Sequence, residues 1–449
     1  MRGEVTDTVA SPPSKAGSRS ADTGGAIPPT RARYLVLAFI IAAYFITYVD
    51  RVLLSVAEPF IEKSFGFSTI TMGWVLFCYS IAYAAFQIPG GWFGDKVGPR
   101  IALTCVVIWW SIFTALTSLT WSAASMGVCL FLIGMGEAGA FPIANRALSR
   151  WMLPSERAIA QGSTHAGSRL GSTLTPMMVV PLVGATLLGW RLPFLLFAVV
   201  GIVWALFWYR FYRNTPSEHP LVNIAEEEQI AHALGFRDNA KRRVPWKQIL
   251  SNPQMWLLGA MYFCYAYDIG AFLSWFPKYL NAARGVNLKH LGFYASLPFL
   301  AGLLGDITGG VLSDALVKRT SNLRFARRIV SIVGFWVSAV TVLCAAWAAD
   351  PMVSLAWFAV ALFALELTVG VSWAITLDVG GEFAGSVSAV MNTMGNIGAA
   401  MAVAVTARLA SSFGWASAFL VIAALAAIAG LLTLTIDASR RFYREEPAA

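Results

Sequence analysis

Twelve apolar runs, each long enough to cross the roughly 30 Å hydrocarbon core of a bilayer as a helix, leave this 449-residue chain few architectures. The expected spans lie near residues 34–57, 72–93, 101–121, 124–145, 158–186, 191–211, 254–280, 291–312, 328–348, 352–376, 384–408 and 415–436. In lipid a backbone amide has no water to turn to, so such runs must satisfy their own hydrogen bonds as helices. Only 13% of residues are charged against 57% hydrophobic, about half the usual charged share, and the expected class is an all-α polytopic membrane protein.

A net charge of +9 would suit nucleic acid, but its distribution points elsewhere. With the N-terminus placed in the cytoplasm, 25 of the 33 lysines and arginines fall on the cytoplasmic side, 6 on the opposite side and 2 within the membrane. This is the positive-inside pattern, and it predicts a multi-pass inner-membrane protein with both termini cytoplasmic and no nucleic-acid partner. Residues 1–33 are rich in Ser, Pro and Gly and carry neither an apolar signal core nor a small-residue cleavage site, so they are expected to form a disordered tail before a retained first helix. A polar stretch over 212–252, with Glu226-Glu227-Glu228 and Lys241-Arg242-Arg243, reads as a linker between an N-terminal half (34–211) and a C-terminal half (253–436), with a second tail at 437–449. Features recur across it at offsets of 219 to 226: Gly91 and Gly310, Gly189-Trp190 and Gly414-Trp415, Glu156 and Glu382. Two parallel six-helix halves around a midplane site are a transporter architecture.

Inside the first span stands Tyr48-Val49-Asp50-Arg51. An arginine at a helix centre costs roughly 2.5–3.5 kcal/mol on insertion scales and is rare unless it faces a polar interior. Tyr44, Tyr48, Arg51 and Ser55 share one helix face, a polar stripe suited to line a cavity. The planar guanidinium matches a carboxylate bidentately; an ion pair with a neighbouring helix is the competing use. Asp50 lies about 100° round the helix, and a buried carboxylate near a basic group has the swing in affinity that a proton carrier needs. The five cysteines are scattered without metal-like spacing, and the spans show no paired histidine ligands, Ser/His/Asp set or nucleotide loop, so no enzyme, metal or cofactor is expected. A sensor is disfavoured because the linker is shorter than the roughly 50 residues of a small domain.

Gly91-Trp92-Phe93-Gly94-Asp95-Lys96-Val97-Gly98-Pro99-Arg100 resembles the loop between helices two and three that marks the major facilitator superfamily. Gly91, Asp95, Lys96, Gly98 and Arg100 would then form a conformational latch, the glycines allowing close packing and Asp95 capping or pairing with neighbouring helix ends. Tyr48 to Arg51, Gln87 to Gly91, Gly134 to Pro142, Asn145-Arg146, Glu156 to Ala158, Gly189 to Arg191 and Pro216 to His219 resemble the anion:cation symporter family within it, nearest its bacterial galactonate, glucarate and hexuronate transporters. The resemblance implies a major facilitator fold of twelve transmembrane helices and proton-coupled import of an organic anion such as a hexonate, hexarate or hexuronate, by a monomer. It assigns Arg51 to the substrate carboxylate, Asp50 and Glu137 to proton coupling, and places Tyr83, Ser372, Trp373 and Asn392 at substrate, with Asn396 one turn further; Tyr44 and Tyr48 join them from the stripe. An exchanger or exporter on the same fold is the alternative.

The chain departs from these relatives at Leu130, where many carry an arginine seven residues before the acid of the fourth helix. An arginine appears instead in the fifth, in His165-Ala166-Gly167-Ser168-Arg169. Arg169, with Ser168 beside it, is expected either to pair with Glu137 or to give substrate a second cationic contact. His165 is either a relay or a hydrogen-bonded helix histidine. Asp268, Asp306 and Glu366 are further acids within apolar spans, ranked below Glu137.

Overall fold

The computed structural model describes residues 28–67, 69–185, 187–234, 244–282, 284 and 288–443. Among them are twelve long helices, here α1 (Ala32–Phe65), α2 (Thr69–Val97), α3 (Pro99–Thr117), α4 (Ala123–Glu137, continuing as Ala140–Trp151), α5 (Arg157–Ala185), α6 (Arg191–Phe211), α7 (Pro253–Ala282), α8 (Leu288–Thr320), α9 (Leu323–Trp347), α10 (Pro351–Gly380), α11 (Ala384–Phe413) and α12 (Trp415–Thr435). Every expected span falls on one of them. Length and hydropathy alone pick out nine segments among the described residues, one of which, Pro351–Phe413, holds both α10 and α11. The remaining two, α2 and α5, have 29 residues each, about 43 Å of helix. On α5 the polar Gln161, Thr164, His165, Ser168 and Arg169 dilute the hydropathy because this helix faces other helices along much of its length.

Packing repeats between the halves. In the first, α1 lies on α5, α2 on α4 and α3 on α6; in the second, α7 lies on α11, α8 on α10 and α9 on α12. The halves meet along two matching seams, α2 against α11 and α5 against α8. Glycine makes both seams close. A Cβ on Gly91 would stand 2.5 Å from the Gly385 carbonyl oxygen, and one on Gly310 2.5 Å from that of Ala158. The interruption in α4 has the same origin, since Gly90 of α2 packs so tightly there that a Cβ would fall 2.5 Å from Gly139 Cα.

The described parts of the linker lie on the face where α1 begins and α12 ends. They contain a short 3-10 turn (Pro216–Glu218) and helices Ile224–Leu234 and Trp246–Ser251. Residues 1–27 of the expected tail lie outside the described residues, but its last part is docked. Thr30 Oγ1 donates to Glu226 Oε2 at 2.6 Å, and Arg33 pairs with Glu156 at 2.9 Å and Glu226 at 3.0 Å. Residues 30–33 thus pack on the folded body, where they supply donors to a buried Glu226. At the other end Phe442 N donates to Val379 O at 3.1 Å, which seats the segment after α12 on the last turn of α10.

Candidate substrate and coupling site

Arg51 enters the interior from α1 and meets three rings and one acid. Its guanidinium lies 4.2 Å from the Tyr83 ring centre, 5.2 Å from Tyr48 and 5.4 Å from Phe141. Its Nε pairs with Glu137 Oε2 at 3.1 Å, and the Tyr79 hydroxyl donates to the same oxygen at 2.6 Å. Nη2 has no hydrogen-bond partner among the described residues. The arginine side chain is 22% exposed whereas that of Glu137 is 0% exposed, so the acid is the more deeply buried of the pair. Asp50 faces the opposite way. Its Oδ2 accepts from Trp110 Nε1 of α3 at 3.1 Å, its Oδ1 has no partner among the described residues, and it is buried, as a position a third of a turn round the helix dictates.

Beneath Arg51 an aromatic floor crosses between the halves. Phe141 meets Tyr44 edge-on at 4.3 Å and Trp373 at 6.1 Å; Trp373 also faces His165 at 5.5 Å and donates its indole N–H to the Tyr262 hydroxyl at 2.8 Å. Asn392 closes the floor by donating to Gln87 Oε1 at 2.9 Å. His165 Nδ1 is 2.9 Å from the Gln161 carbonyl, which can only accept, so the ring is a hydrogen-bonded helix histidine with its proton on Nδ1. Ser168 and Ser372 lie within the helix packing. Their hydroxyls donate to their own helices, at His165 O and Thr368 O, both 2.8 Å away, and both side chains are buried. Asn396 Nδ2, in contrast, has no partner among the described residues.

Arg169 does not pair with Glu137. It crosses from α5 to the other half, where Nε meets Asp306 Oδ2 at 2.6 Å and Nη2 meets Glu366 Oε1. Tyr265 donates its hydroxyl to Glu366 Oε2 at 2.7 Å. The arrangement repeats that at Arg51: the arginine is 21% exposed, the two carboxylates 0%. Each half thus contributes buried acid to a partly exposed arginine, with a tyrosine hydroxyl on the acid. Tyr79, Phe141 and Tyr262 were missed in the sequence, whereas Tyr265 stands in a Tyr265-x-Tyr267-Asp268 run suited to line the pathway. The only signal for Tyr79 is that it precedes Tyr83 by about one turn.

On the linker face the seams end in two equivalent latches. Asp95 of α2 accepts from Ser386 N at 2.7 Å and Gly385 N at 3.2 Å in the first turn of α11, with Arg146 at 3.4 Å. Asp314 of α8 accepts from Ile159 N at 2.7 Å and Ala158 N at 3.3 Å in the first turn of α5, with Arg327 at 2.7 Å. A carboxylate at a helix N-terminus satisfies orphan amides and meets the positive end of the helix dipole. Arg157 reinforces the second latch through Asp378 at 2.7 Å. Of the loop residues expected to latch, Gly91 and Asp95 touch the other half. Lys96 instead lies over Trp92 at 4.7 Å, Arg100 donates to Tyr209 O at 2.9 Å, and Gly98, at φ +90°, turns the chain from α2 into α3. These contacts close the bundle on the linker face.

Comparison with known proteins agrees with the fold. The family profile described as Major Facilitator Superfamily matches residues 40–324. A probable sulfoacetate transporter of Cupriavidus necator is 39% identical over 364 residues, covering 81% of this chain and 84% of that one. A D-galactonate transporter of Escherichia coli O6:H1 is 31% identical over 420 residues, covering 90% and 96%, and the hexuronate transporter of Bacillus subtilis strain 168 is 29% identical over 405, covering 89% and 93%. The fold matches the crystal structure of the transporter FucP in its outward conformation with a TM-score of 0.71 at 14% identity, over 91% of this chain and 100% of that one. It also matches the proton:xylose symporter XylE bound to 6-bromo-6-deoxy-D-glucose with a TM-score of 0.71 at 12% identity, over 90% of this chain and 96% of that one. The chain belongs to the Major Facilitator Superfamily, and is a multi-pass membrane transporter rather than an enzyme.

Proposed function

We propose that this protein is a secondary transporter that brings a small organic anion into the cell with protons by alternating access, its linker face turned to the cytoplasm of an inner-membrane carrier. The observation that carries this reading is Arg51: a cation inside the bundle whose Nη2 is buried and has no hydrogen-bond partner among the described residues, bordered by Tyr48 and Tyr83, and paired through Nε with a fully buried acid. While Glu137 is ionised it holds Arg51 Nε. A proton reaching Glu137 from the open side removes that charge, frees the planar fork for a substrate carboxylate, and leaves when the bundle opens towards the linker. Asp50 is the second coupling acid in this reading, linked to substrate through α1 rather than by contact. Asn396 suits a hydroxyl or carboxylate oxygen of the anion, and the Tyr83 face suits its carbon skeleton.

A sugar acid is supported by the galactonate and hexuronate transporters among the relatives. A second anion, sulfoacetate, is supported by the 39%-identical relative and by Arg169, a second partly exposed arginine inside the bundle, which suits a dianion. Purified protein in liposomes, given an inside-alkaline pH gradient and labelled galactonate, glucarate, glucuronate or sulfoacetate, should accumulate at least one above its equilibrium level and lose it to a protonophore. Uptake that needs preloaded anion and ignores the gradient would instead establish exchange. Failure of the whole panel to move would sink the proton-symport reading.

A further inference from the structure

The charges at the junction of α5, α8 and α10 do not balance. One guanidinium, Arg169, faces two carboxylates, Asp306 and Glu366, and both acids are fully buried. Asp306 spends Oδ2 on Arg169 and keeps Oδ1 buried with no hydrogen-bond partner among the described residues. Glu366 holds Arg169 Nη2 through one oxygen and the Tyr265 hydroxyl through the other. Among the described residues, the other titratable groups around the cluster bring no second cation. His165, one turn before Arg169 on α5, has its Nδ1 proton committed to Gln161; α7 offers Tyr262 and Tyr265, α1 offers Tyr48, and Asp378 of α10 is held near the linker face by Arg157 and Arg327. Two carboxylates that share one cation in a low-dielectric interior carry a surplus negative charge, which a proton on one of them relieves.

The cluster also occupies a decisive place on the seam. From the linker face upward, α5 and α8 touch at Ile159 and Asp314, then at Ala158 and Gly310, then at Gly162 and the Asp306 backbone. Arg169 follows as the last charged tie before Leu170 and Leu174 turn exposed. Every covalent path between Arg169 and its two acids runs through the linker, so the ion pairs hold one half against the other.

We propose that Asp306 and Glu366 form a second proton-carrying site, separate from Glu137, and that Arg169 transmits its charge state to the contact between the halves. With both acids ionised, Arg169 is gripped twice and the linker face stays shut. Each proton that enters from the open side converts one carboxylate into a carboxylic acid and removes one grip. The released guanidinium is then available to a second anionic group on substrate, and α5 can part from α8. This deepens the proton-coupled reading above, but the proton-dependent tie itself needs no substrate.

The test is therefore made without any anion. Spin labels placed at exposed Arg210 on α6 and Arg319 on α8, in full-length protein in lipid nanodiscs, report the opening of the linker face by pulsed electron resonance. Acidification from about pH 8 to about pH 5 should raise the ratio of long to short distances about tenfold or more, equivalent to about 1.4 kcal/mol or more. The Asp306→Asn/Glu366→Gln variant should favour the long distance at both values and respond little. A wild-type distribution that ignores pH, or a double variant that responds as the wild type does, overturns the proposal. Should the double variant fail to fold, Glu366→Gln alone, whose amide oxygen still accepts from Tyr265, should show a response at least threefold smaller than wild type; an undiminished response counts against the proposal. Liposomes that transport none of the tested anions would leave these outcomes intact, so the two readings fail separately.

Discussion

Arg51 holds a fixed charge beside an acid that can lose its own. A lysine at this position would keep the charge but lose the fork that serves Glu137 through Nε and leaves Nη2 to spare. Arg51→Lys is expected to weaken anion binding by about 2 kcal/mol, the worth of a charge-assisted hydrogen bond, or roughly thirtyfold in Kd. Calorimetric titration with whichever anion the liposomes accumulate checks this, and an unchanged Kd would remove Arg51 from the binding site. The residue itself was legible because its stripe is periodic in the sequence. Its partner was less so, since Glu137 lies 86 residues away, and the partners of Arg169 were not legible at all, Asp306 being 137 residues off in the other half. The hydrogen bonds of Ser168 and Ser372 within their own helices were not legible either. A helical serine can donate to the carbonyl three or four residues back, and no spacing distinguishes that use from one facing a cavity.

At the scale of helices, the seams depend on the lack of a side chain at a few positions. A methyl on Gly310 would meet the Ala158 carbonyl oxygen at 2.5 Å and Ile159 Cα at 2.6 Å, both backbone atoms that cannot turn aside. Overpacking of this kind costs about 1–3 kcal/mol. Because the strain falls only on the closed linker face, Gly310→Ala should favour the open one. A cysteine introduced at buried Ala389, on the opposite seam, should then react with a polar maleimide about tenfold faster in a background without the five native cysteines. An unchanged rate would mean that α5 and α8 do not separate as the bundle opens. The linker carries a different device. Burial, and then the nearby Arg213, hold His219 below its ordinary 6.5, and its Nδ1 accepts from Leu221 N at 3.2 Å while its ring packs on Phe211 and Trp151. A depressed imidazole means that the undocked chain takes up the proton first as pH falls. The docking energy is complete above about 6.5 and declines below it. Hydrogen exchange over 216–234 should accelerate on acidification beyond the intrinsic rate change, and His219→Asn should flatten that dependence.

The two halves of the molecule use one plan, and the sequence carried it as offsets of 219 to 226 between matching glycines and acids. The twelve spans and the linker were legible because a bilayer forces long apolar runs, and the internal repeat because duplicated packing needs the same small residues at the same places. The conformational state was not legible, since it rests on contacts between halves that no local pattern encodes. It turns on Asp95 and Asp314, which stand 219 residues apart, each on the N-terminus of a helix in the opposite half and each backed by an arginine, Arg146 or Arg327. Equivalent geometry demands equivalent energetics. An asparagine in place of either aspartate keeps one acceptor oxygen but loses the charge, at a cost of about 1 kcal/mol against a full cap, or roughly fivefold in the ratio of closed to open linker face. The latches lie on different seams and share no partner, so their effects should multiply, and Asp95→Asn/Asp314→Asn should shift the ratio about 25-fold. Distance distributions between labels at 210 and 319 measure all three variants at a pH where wild type is closed. If Asp95→Asn opened the linker face and Asp314→Asn did not, closure would rest on the α2–α11 seam alone. A double variant no more open than either single one would show that breaking one latch already releases the other, so that the halves part as rigid bodies in a single step.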